Sequence, residues 1–148
     1  MTMEEQQQAP QPAAHPAWNP YLATCPTRQV LDCIADKWAA LVVGLLIGGT
    51  RRFGELRREI QGVSQKMLTQ TLRSLERDGI VRREVYATVP PKVEYSLTPL
   101  GESLAATLEE LRLWAERNIE DVLRNRATFD AAAAVASESA PASAAKNR

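Results

Sequence analysis

The sequence predicts a mainly α-helical domain with a small β-hairpin, and three successive patterns of apolar periodicity predict it. Apolar residues recur at helical spacing over residues 26–79, alternate with polar residues over residues 80–97, and return to helical spacing from residue 98 to about residue 126. The 148 residues are 45% hydrophobic, which is enough for a core without disulfide bonds or metal ions.

Both flanks of this domain differ from it in composition. Residues 1–20 are rich in Gln, Pro and Ala, and residues 127–148 are rich in Ala, so we expect a disordered arm and a disordered tail around a domain at residues 21–126. The acidic N-terminus lacks the features of a signal peptide, and the longest apolar run, residues 38–47, is half the roughly 20 residues of a membrane span. We therefore expect a cytoplasmic protein without a membrane partner.

The first two predicted helices are short. A first-turn proline has no N–H to leave unpaired, so Pro26 favours a helix over residues 26–35 with Cys25 at or next to its N-cap. The apolar face of this helix consists of Val30, Leu31 and Ile34. A second helix is expected over residues 38–47, with a core-facing stripe formed by Trp38, Leu41, Val42, Leu45 and Leu46.

A helix-turn-helix pattern follows an extended piece at residues 50–52. The third helix, residues 53–60, turns Phe53, Leu56 and Ile60 inward. A tight, glycine-containing turn at residues 61–63 then separates it from a fourth helix, as in a helix-turn-helix.

The fourth helix, residues 64–79, is amphipathic. Leu68, Leu72 and Leu75 lie on one face, while Ser64 is expected at the N-cap and Gly79 at the C′ position. The other face carries side chains that hydrogen-bond to base edges and phosphates, namely Gln65, Lys66, Thr69, Gln70, Arg73 and Arg77. Alone, this pattern also fits an ordinary surface helix; as the second helix of a helix-turn-helix, it would enter the major groove of DNA.

Two strands are expected next, at residues 80–86 and 93–97, because apolar and polar residues alternate there. The Pro90-Pro91 pair keeps the intervening loop out of a strand interior. A helix-turn-helix followed by a hairpin makes a winged helix-turn-helix, in which the sugar-phosphate backbone would be contacted by Lys92 with Arg82 or Arg83.

A long helix begins with Thr98 as N-cap and Pro99 as the first helical residue. Its apolar stripe continues for nearly 30 residues, roughly 40 Å, which is more than a small domain needs to cover its own core. We expect the surplus to pack on a second subunit, so that terminal helices form a homodimer; a helix folded back onto its own domain is the alternative. The expected interface residues are Leu104, Leu108, Leu111, Trp114 and Ile119.

The charge distribution favours a partner for the middle of the chain, although the net charge is zero. Residues 51–92 contain ten basic and five acidic residues, whereas residues 93–130 contain eight acidic and four basic ones. A basic middle suggests one face for double-stranded DNA. We expect Gln65 or Gln70 to pair with adenine and Lys66 with guanine. The other expected DNA contacts are Ser64 and Thr69, with Arg57, Arg58, Arg73 and Lys92 on phosphates.

The two cysteines differ in their expected roles. At a helix start, Cys25 would be stabilised as the thiolate, the reactive form, and we expect it to sense oxidants or electrophiles; a partly buried cysteine of no regulatory use is the alternative. Cys33 is expected in the core. It lies eight residues further on, about 12 Å along the helix, so a disulfide between the two would require that helix to unfold.

The chain offers little for other chemistry. Two cysteines and His15 cannot build a metal site, and the sequence has no glycine-rich phosphate loop and no nucleophile–base arrangement. We therefore expect neither a cofactor nor an enzymatic activity.

Together these segments resemble the HxlR-type winged helix-turn-helix regulators of bacteria, within the MarR-like superfamily. The resemblance covers about residues 25–111 and is carried by Cys25-Pro26, Asp36-Lys37-Trp38, RFGEL at residues 52–56, SQKML at residues 64–68 and VPPKVEYSLT at residues 89–98. It implies a homodimeric transcription factor, either a repressor, which we favour, or an activator, that binds an inverted repeat with its wings in the minor groove. Members of this family often sense electrophiles, quinones, aldehydes or oxidants through a cysteine at the position of Cys25.

Two alternatives use the same fold. The regulator could bind a small-molecule ligand in a dimer pocket beside the first and the long helix, and a Cys25→Ser variant would then keep its response. The domain could also be a protein-interaction module, but such modules usually lack an outer face of Gln, Lys, Thr and Arg.

Overall fold

The computed structural model describes residues 18–140, so the disorder predicted for residues 1–17 and 141–148 falls outside the described residues. Within the described part, five helices and three strands occur in the order α1 (Pro26–Ala35), α2 (Lys37–Leu46), β1 (Arg51–Arg52), α3 (Phe53–Glu59), α4 (Gln65–Arg77), β2 (Val81–Tyr86), β3 (Lys92–Leu97) and α5 (Pro99–Ser139). This order confirms the predicted mainly α-helical fold with a small β-wing.

Asp36 both ends α1 and begins α2. Its backbone N–H donates to the carbonyl of Cys33 (3.4 Å), and its carboxylate accepts from the backbone N–H of Trp38 (2.9 Å). The two helices therefore meet at one residue, and α1 packs against α2. No residue of α1 itself is buried, and Val30 and Leu31 are 42% and 49% exposed. Much of the predicted apolar face of α1 thus stays uncovered in one protomer.

The buried stripe of α2 differs from the predicted one. Leu41, which we expected in the core, is 46% exposed, and Trp38 and Leu45 are only partly buried. The stripe is rotated because α2 packs between α4 and α5: Ala39 faces α4, whereas Leu41 borders a surface groove beside α5. The buried residues of α2 are Ala39, Val42, Val43 and Leu46.

The first helix and turn of the helix-turn-helix form as predicted. Leu56 and Ile60 are buried and Phe53 packs partly against the core. In the turn that follows, Gly62 has φ +85°, a left-handed conformation that residues with a Cβ rarely adopt. The glycine therefore lets the chain reverse between α3 and α4.

Both ends of α4 are capped by the residues that the sequence indicates. The Ser64 hydroxyl oxygen accepts from the backbone N–H of Met67 (3.1 Å). At the other end Gly79 has φ +73°, and the N–H of Ile80 donates back to the carbonyl of Leu75 (2.9 Å). The length of α4 is thus set by local hydrogen bonds at each terminus.

The three strands form one antiparallel sheet in the order β1-β3-β2. The central strand β3 pairs Tyr95 with Arg51 of β1, and Leu97 with Val81 of β2. Tyr95 and Val81 are buried, whereas Val85, nearer the hairpin tip, is 54% exposed. Only the base of the wing therefore belongs to the core.

A joint between the start of α5 and the segment after α4 holds these elements together. The Thr98 hydroxyl oxygen accepts from the N–H of Gly101 (3.0 Å), and its O–H donates to the carbonyl of Gly79. The backbone N–H of Thr98 donates to the carbonyl of Ile80 (3.1 Å). Gly101 is buried, and a Cβ at this position would collide with the Ile80 carbonyl oxygen. Only glycine allows this approach.

The helix α5 is longer than predicted. It ends at Ser139 and not near residue 126, so the prediction of a disordered tail is wrong for residues 127–139. Residues 131–134 are consecutive alanines, and alanine has the highest helix propensity, so an existing helix propagates through them. All residues of this segment are exposed. None of the described helices, α5 included, has the length and apolarity that a membrane span requires.

The core lies between α2, α3, α4, the sheet and the first part of α5. Each leucine buried there contributes about 1.5–3 kcal/mol relative to an exposed one. The largest fully buried side chains are Val42, Val43, Leu56, Leu68, Leu72, Leu75 and Val81.

We expect Gly101→Ala to lower the free energy of unfolding by about 2–4 kcal/mol, because the added methyl group forces α5 away from Ile80. Urea denaturation measures the change. Gly54→Ala is the matched control, since Gly54 also lies in the first turn of a helix and a Cβ there meets nothing within 4 Å. Equal stability of the two variants would contradict the importance of this joint.

Candidate nucleic-acid interface

The helix α4 presents a polar face to solvent, opposite its leucine stripe. Leu68, Leu72 and Leu75 are at most 1% exposed, so the outward side of the helix is well defined. The six polar residues predicted on the outer face are all exposed. Gln65 and Thr69 lie along one edge of this face. Directly opposite the stripe, at spacings of three and four, are Lys66, Gln70, Arg73 and Arg77.

The N-terminus of α4 provides hydrogen-bond donors for an anion. The first amides of a helix, here those of Gln65 and Lys66, have no carbonyl partner within the helix. The helix dipole and the ammonium group of Lys66 add positive potential at the same end. The exposed cap residue Ser64 lies beside these groups. This end of α4 therefore suits a phosphate of the DNA backbone.

Thr69 differs from the polar residues around it. Its hydroxyl group donates to the backbone carbonyl of Gln65, one turn earlier, at 2.8 Å. The donor of this side chain is thus used within α4, and its methyl group is the part left to face outward.

Two of the three arginines predicted to contact phosphates, Arg57 and Arg58, lie exposed in the last turn of α3. At the other end of α3, the carboxylate of Glu55 accepts from the backbone N–H of Arg52 (3.0 Å). Basic residues in a last turn also complement the negative end of the helix dipole. Arg57 and Arg58 therefore have a structural role in addition to their predicted one.

Lys92, at the start of β3, is held within the wing. Its Nζ lies 2.7 Å from a carboxylate oxygen of Glu94 and 5.1 Å from the centre of the Tyr86 ring. The hydrogen bond from Lys92 holds the pKa of Glu94 below its ordinary value, and Glu94 also faces Glu84 across the hairpin. Lys92 can therefore reach a phosphate only by sharing or leaving this carboxylate.

Other arginines extend the basic surface. The predicted DNA contacts leave out Arg77, although its spacing of four from Arg73 places it on the same line of α4. Arg82 and Arg83 lie on opposite faces of β2, with Arg83 opposite the buried Tyr95. This spacing, which is visible in the sequence, is enough to place Arg77 among the candidate DNA contacts.

Cys25 is the N-cap residue of α1, as predicted, and is 7% exposed. A hydrogen bond from the Thr27 side chain lowers the pKa of the Cys25 thiol below its ordinary value. Burial opposes this effect, and backbone groups of Thr27, Asn19 and Arg28 add to it. The start of α1 therefore favours the thiolate, the reactive form of cysteine.

Cys33 lies within α1 and packs partly against the core. Burial raises the pKa of its thiol, and the nearby carboxylate of Asp78 raises it further. Both thiols are free. In residues 18–140, no group of three or more potential metal-ligating side chains occurs. Of the two thiols, Cys33 is the less reactive one.

The residues predicted to form a dimer interface fall into two groups. Leu108 is 6% exposed and Leu104 is partly buried, so both complete the core of their own protomer. Leu111, Trp114 and Ile119 are 59%, 57% and 44% exposed. The first part of α5 thus belongs to the domain, and its middle part carries large apolar side chains on the surface.

An open groove of about 580 Å³ lies between α2 and α5. Leu41 and Gly44 line it on α2, and Glu109 and Arg112 line it on α5. The guanidinium of Arg112 is bound by Glu109 and Glu116 of the same helix. One wall of the groove is therefore apolar and the other carries an ion pair.

The family profile described as HxlR-like helix-turn-helix matches residues 33–122, which contain the helix-turn-helix, the wing and the first half of α5. The chain belongs to the HxlR-like helix-turn-helix family. YtfH of Escherichia coli (strain K12), an HTH-type transcriptional regulator, is 47% identical over 108 residues, which cover 73% of this HxlR-like chain and 86% of YtfH.

Two solved structures are similar to this HxlR-like protein. The transcriptional regulator ytfH from Salmonella typhimurium has a TM-score of 0.71 and 46% identity, with 74% of this chain and 97% of that chain covered. The reduced form of the redox regulator HypR has a TM-score of 0.61 and 47% identity, with 68% and 98% covered. The HxlR-like protein is thus a transcriptional regulator of the helix-turn-helix type, and residues 123–139 of α5 lie beyond the family match.

Proposed function

We propose that this HxlR-like regulator binds operator DNA as a homodimer, with α4 in the major groove and the wing against the adjacent backbone. The observation that carries the proposal is the outer face of α4, which is polar, basic and exposed while the leucines behind it are fully buried. Side chains of these types form hydrogen bonds with base edges in the major groove. The regulator acts in the cytoplasm, and repression by occupation of the operator is its simplest mode.

Base contacts and phosphate contacts are proposed to come from different residues. Gln70 lies at the centre of the outer face and suits the bidentate pairing of an amide with adenine; Lys66 suits guanine. Gln65 is the alternative partner for adenine. Phosphate contacts position the protein without reading sequence, and we assign them to Ser64, Arg57, Arg58, Arg73 and Lys92.

The homodimer is proposed to form through α1 and the middle of α5. Val30 and Leu31 on α1, with Leu111, Trp114 and Ile119 on α5, are large apolar side chains that one protomer leaves exposed. Such clusters are typical of protein interfaces, and tryptophan is a frequent anchor in them. A two-fold dimer can set its α4 helices about 34 Å apart, which matches half-sites one helical turn apart in an inverted repeat.

We also propose that Cys25 senses oxidants or electrophiles. Its thiol lies at a helix start that favours the thiolate, and α1 is a proposed interface helix. Because Cys25 is only 7% exposed, a modified sulfur does not fit unless the start of α1 moves. Movement of α1 can reach α4 through α2, which packs against both helices. The similarity to the redox regulator HypR supports this role.

Titration of the reduced protein into its own upstream DNA, followed by fluorescence anisotropy, tests the DNA-binding proposal. We expect Gln70→Ala to lose about 1–3 kcal/mol of binding free energy on the cognate site and almost none on random DNA, because a base contact is removed. Lys92→Ala is the matched comparison. It should weaken binding to both DNAs alike and reduce the slope of log K against log salt by about one, since a phosphate contact is removed.

Two results would contradict these assignments separately. Equal losses of Gln70→Ala on cognate and random DNA would exclude base reading by Gln70. An unchanged salt slope for Lys92→Ala would leave Lys92 in its ion pair with Glu94. If the unmodified protein prefers no upstream fragment over random DNA, it does not regulate its own gene, and its operator has to be sought by selection from a randomised duplex library. If that selection also yields no preferred sequence, the protein-interaction alternative is favoured.

The combined change Leu111→Glu and Trp114→Ala is expected to raise the dimer dissociation constant at least about 100-fold, because an apolar contact is removed and a charge is buried. Sedimentation equilibrium measures the dissociation constant. The monomer should remain folded, since both side chains are more than half exposed in one protomer. Val89→Glu is the control, because it places the same charge at an exposed apolar residue of the wing loop. An unchanged dimer in the double variant would place the interface elsewhere.

Hydrogen peroxide is expected to release the reduced protein from its operator, and a thiol reductant should restore binding. Cys25→Ser should remain bound, whereas Cys33→Ser should behave like the unmodified protein. Alkylation of Cys25 should accelerate with pH around a midpoint below the ordinary thiol pKa, and Thr27→Val should move that midpoint upward because the thiolate loses a hydrogen bond. Release of the Cys25→Ser variant by peroxide would contradict sensing by Cys25.

The groove between α2 and α5 supports a second candidate signal. Its volume of about 580 Å³ is in the range of small-molecule sites. The side chain of Leu41 supplies an apolar wall, and Arg112 supplies a charged one. An inducer bound there would act equally on the unmodified protein and on Cys25→Ser, whereas a thiol signal is lost in that variant.

A further inference from the structure

We propose that Thr69 makes operator recognition depend on the methyl group of one thymine in each half-site. The proposal rests on the DNA-binding function proposed above and names the base chemistry that this position of α4 selects.

The hydrogen bond of Thr69 determines what its side chain can offer to DNA. The hydroxyl donates to the carbonyl of Gln65 at 2.8 Å, which is a good distance for an O–H···O bond. The β-branched side chain has few rotamers in a helix, and this bond selects one of them. A base acceptor therefore has to compete with an existing bond for the hydroxyl proton, whereas the methyl group is available without cost.

The methyl group of Thr69 is surrounded by polar side chains on the outer face of α4. Gln65 and Lys66 precede it by one turn and Arg73 follows it by one turn, and all three are exposed and polar. The other exposed apolar residue of α4, Met67, lies at the opposite edge, beside α1, in a cavity that Cys33 also lines. On the Thr69 side of the face, hydrogen-bond donors therefore surround one methyl group.

Base edges in the major groove carry one kind of apolar group, the C5 methyl of thymine, and cytosine has only a hydrogen at that position. A thymine beside Thr69 would place its methyl against the threonine methyl. Its O4 acceptor would then lie among the donors of Lys66 and Gln65. The position thus favours an A·T pair in one orientation and does so through shape as well as through hydrogen bonds.

The experiment replaces single thymines of the bound upstream fragment by deoxyuridine, which lacks only the C5 methyl. Binding of the reduced, full-length protein is measured by fluorescence anisotropy for each substituted duplex. We expect one thymine per half-site at which the substitution weakens binding about fourfold, as loss of one buried methyl group predicts. Substitutions at other thymines should change the affinity little.

Two variants of Thr69 separate the methyl group from the hydroxyl. Thr69→Val keeps a methyl and removes the hydroxyl; it should remain sensitive to deoxyuridine, with an affinity for thymine DNA about fourfold higher than for the substituted duplex. Thr69→Ser keeps the hydroxyl and its bond to the helix but removes the methyl; it should bind thymine DNA about fourfold more weakly and lose the sensitivity to deoxyuridine. Both variants change an exposed residue, and circular dichroism checks that the helices remain.

The possible results are distinguishable. If deoxyuridine is tolerated at every thymine, or if Thr69→Val loses the sensitivity to deoxyuridine as Thr69→Ser does, the proposed role of the methyl group is wrong while operator binding stands. If the unmodified protein prefers neither an upstream fragment nor any duplex selected from a randomised library over random DNA, the proposed DNA-binding function fails and the role of Thr69 fails with it.

Discussion

The joint between the start of α5 and the end of α4 is the contact on which the proposed DNA-binding geometry depends. A dimer that reads an inverted repeat must hold its two α4 helices at a defined spacing, and in the proposed dimer α5 would connect each of them to the partner. Thr98 makes hydrogen bonds to Gly79, Ile80 and Gly101, so one side chain caps α5 and ties it to the segment after α4. The missing side chain of Gly101 allows the backbones to touch. In the proposed complex, rigidity at this joint would let the geometry of the dimer set the spacing of the two α4 helices along DNA.

The charge distribution of this protein bears on how the proposed DNA complex would gain its affinity. The net charge is zero, and the best-placed cation of the wing, Lys92, is already bound to Glu94. A protein with little net field gains less from non-specific binding, which depends on the number of neutralised phosphates. In the proposed complex, discrimination between DNA sequences then depends on the few side chains at the centre of α4. In the proposed complex, a phosphate contact by Lys92 would therefore compete with its existing ion pair to Glu94.

Local rules explain which parts of the fold the sequence could predict. Ser64, Gly79 and Thr98 act at the positions where the pattern places them, because a cap depends on neighbours within four residues. The stripe of α2 was predicted with the wrong rotation, since Leu41 is exposed and the position of α5 decides which side is buried. Composition alone predicts a disordered tail, whereas its alanines extend α5 to Ser139.

In the candidate site, too, features set by neighbouring residues could be predicted, whereas features set by side-chain conformation could not. The outer face of α4 follows from helical periodicity, and the position of Cys25 follows from Pro26. The partner of Lys92 was missed, although residues two apart in a strand share a face and Glu94 could have been considered. The hydrogen bond of Thr69 depends on a rotamer, which periodicity does not reveal.

The length of α5 has a mechanical consequence. From Gly101 to Ser139 the helix extends about 57 Å at 1.5 Å per residue, and every residue of its final turns is exposed. Because its first part is packed in the core, the helix is fixed to its domain and rotates with it. A rotation of the domain by about 10° would displace the far end of α5 by about 10 Å, several times more than any atom near Gly101 moves. Small changes in the orientation of the domain are thus largest, as displacements, at the C-terminal turns of α5.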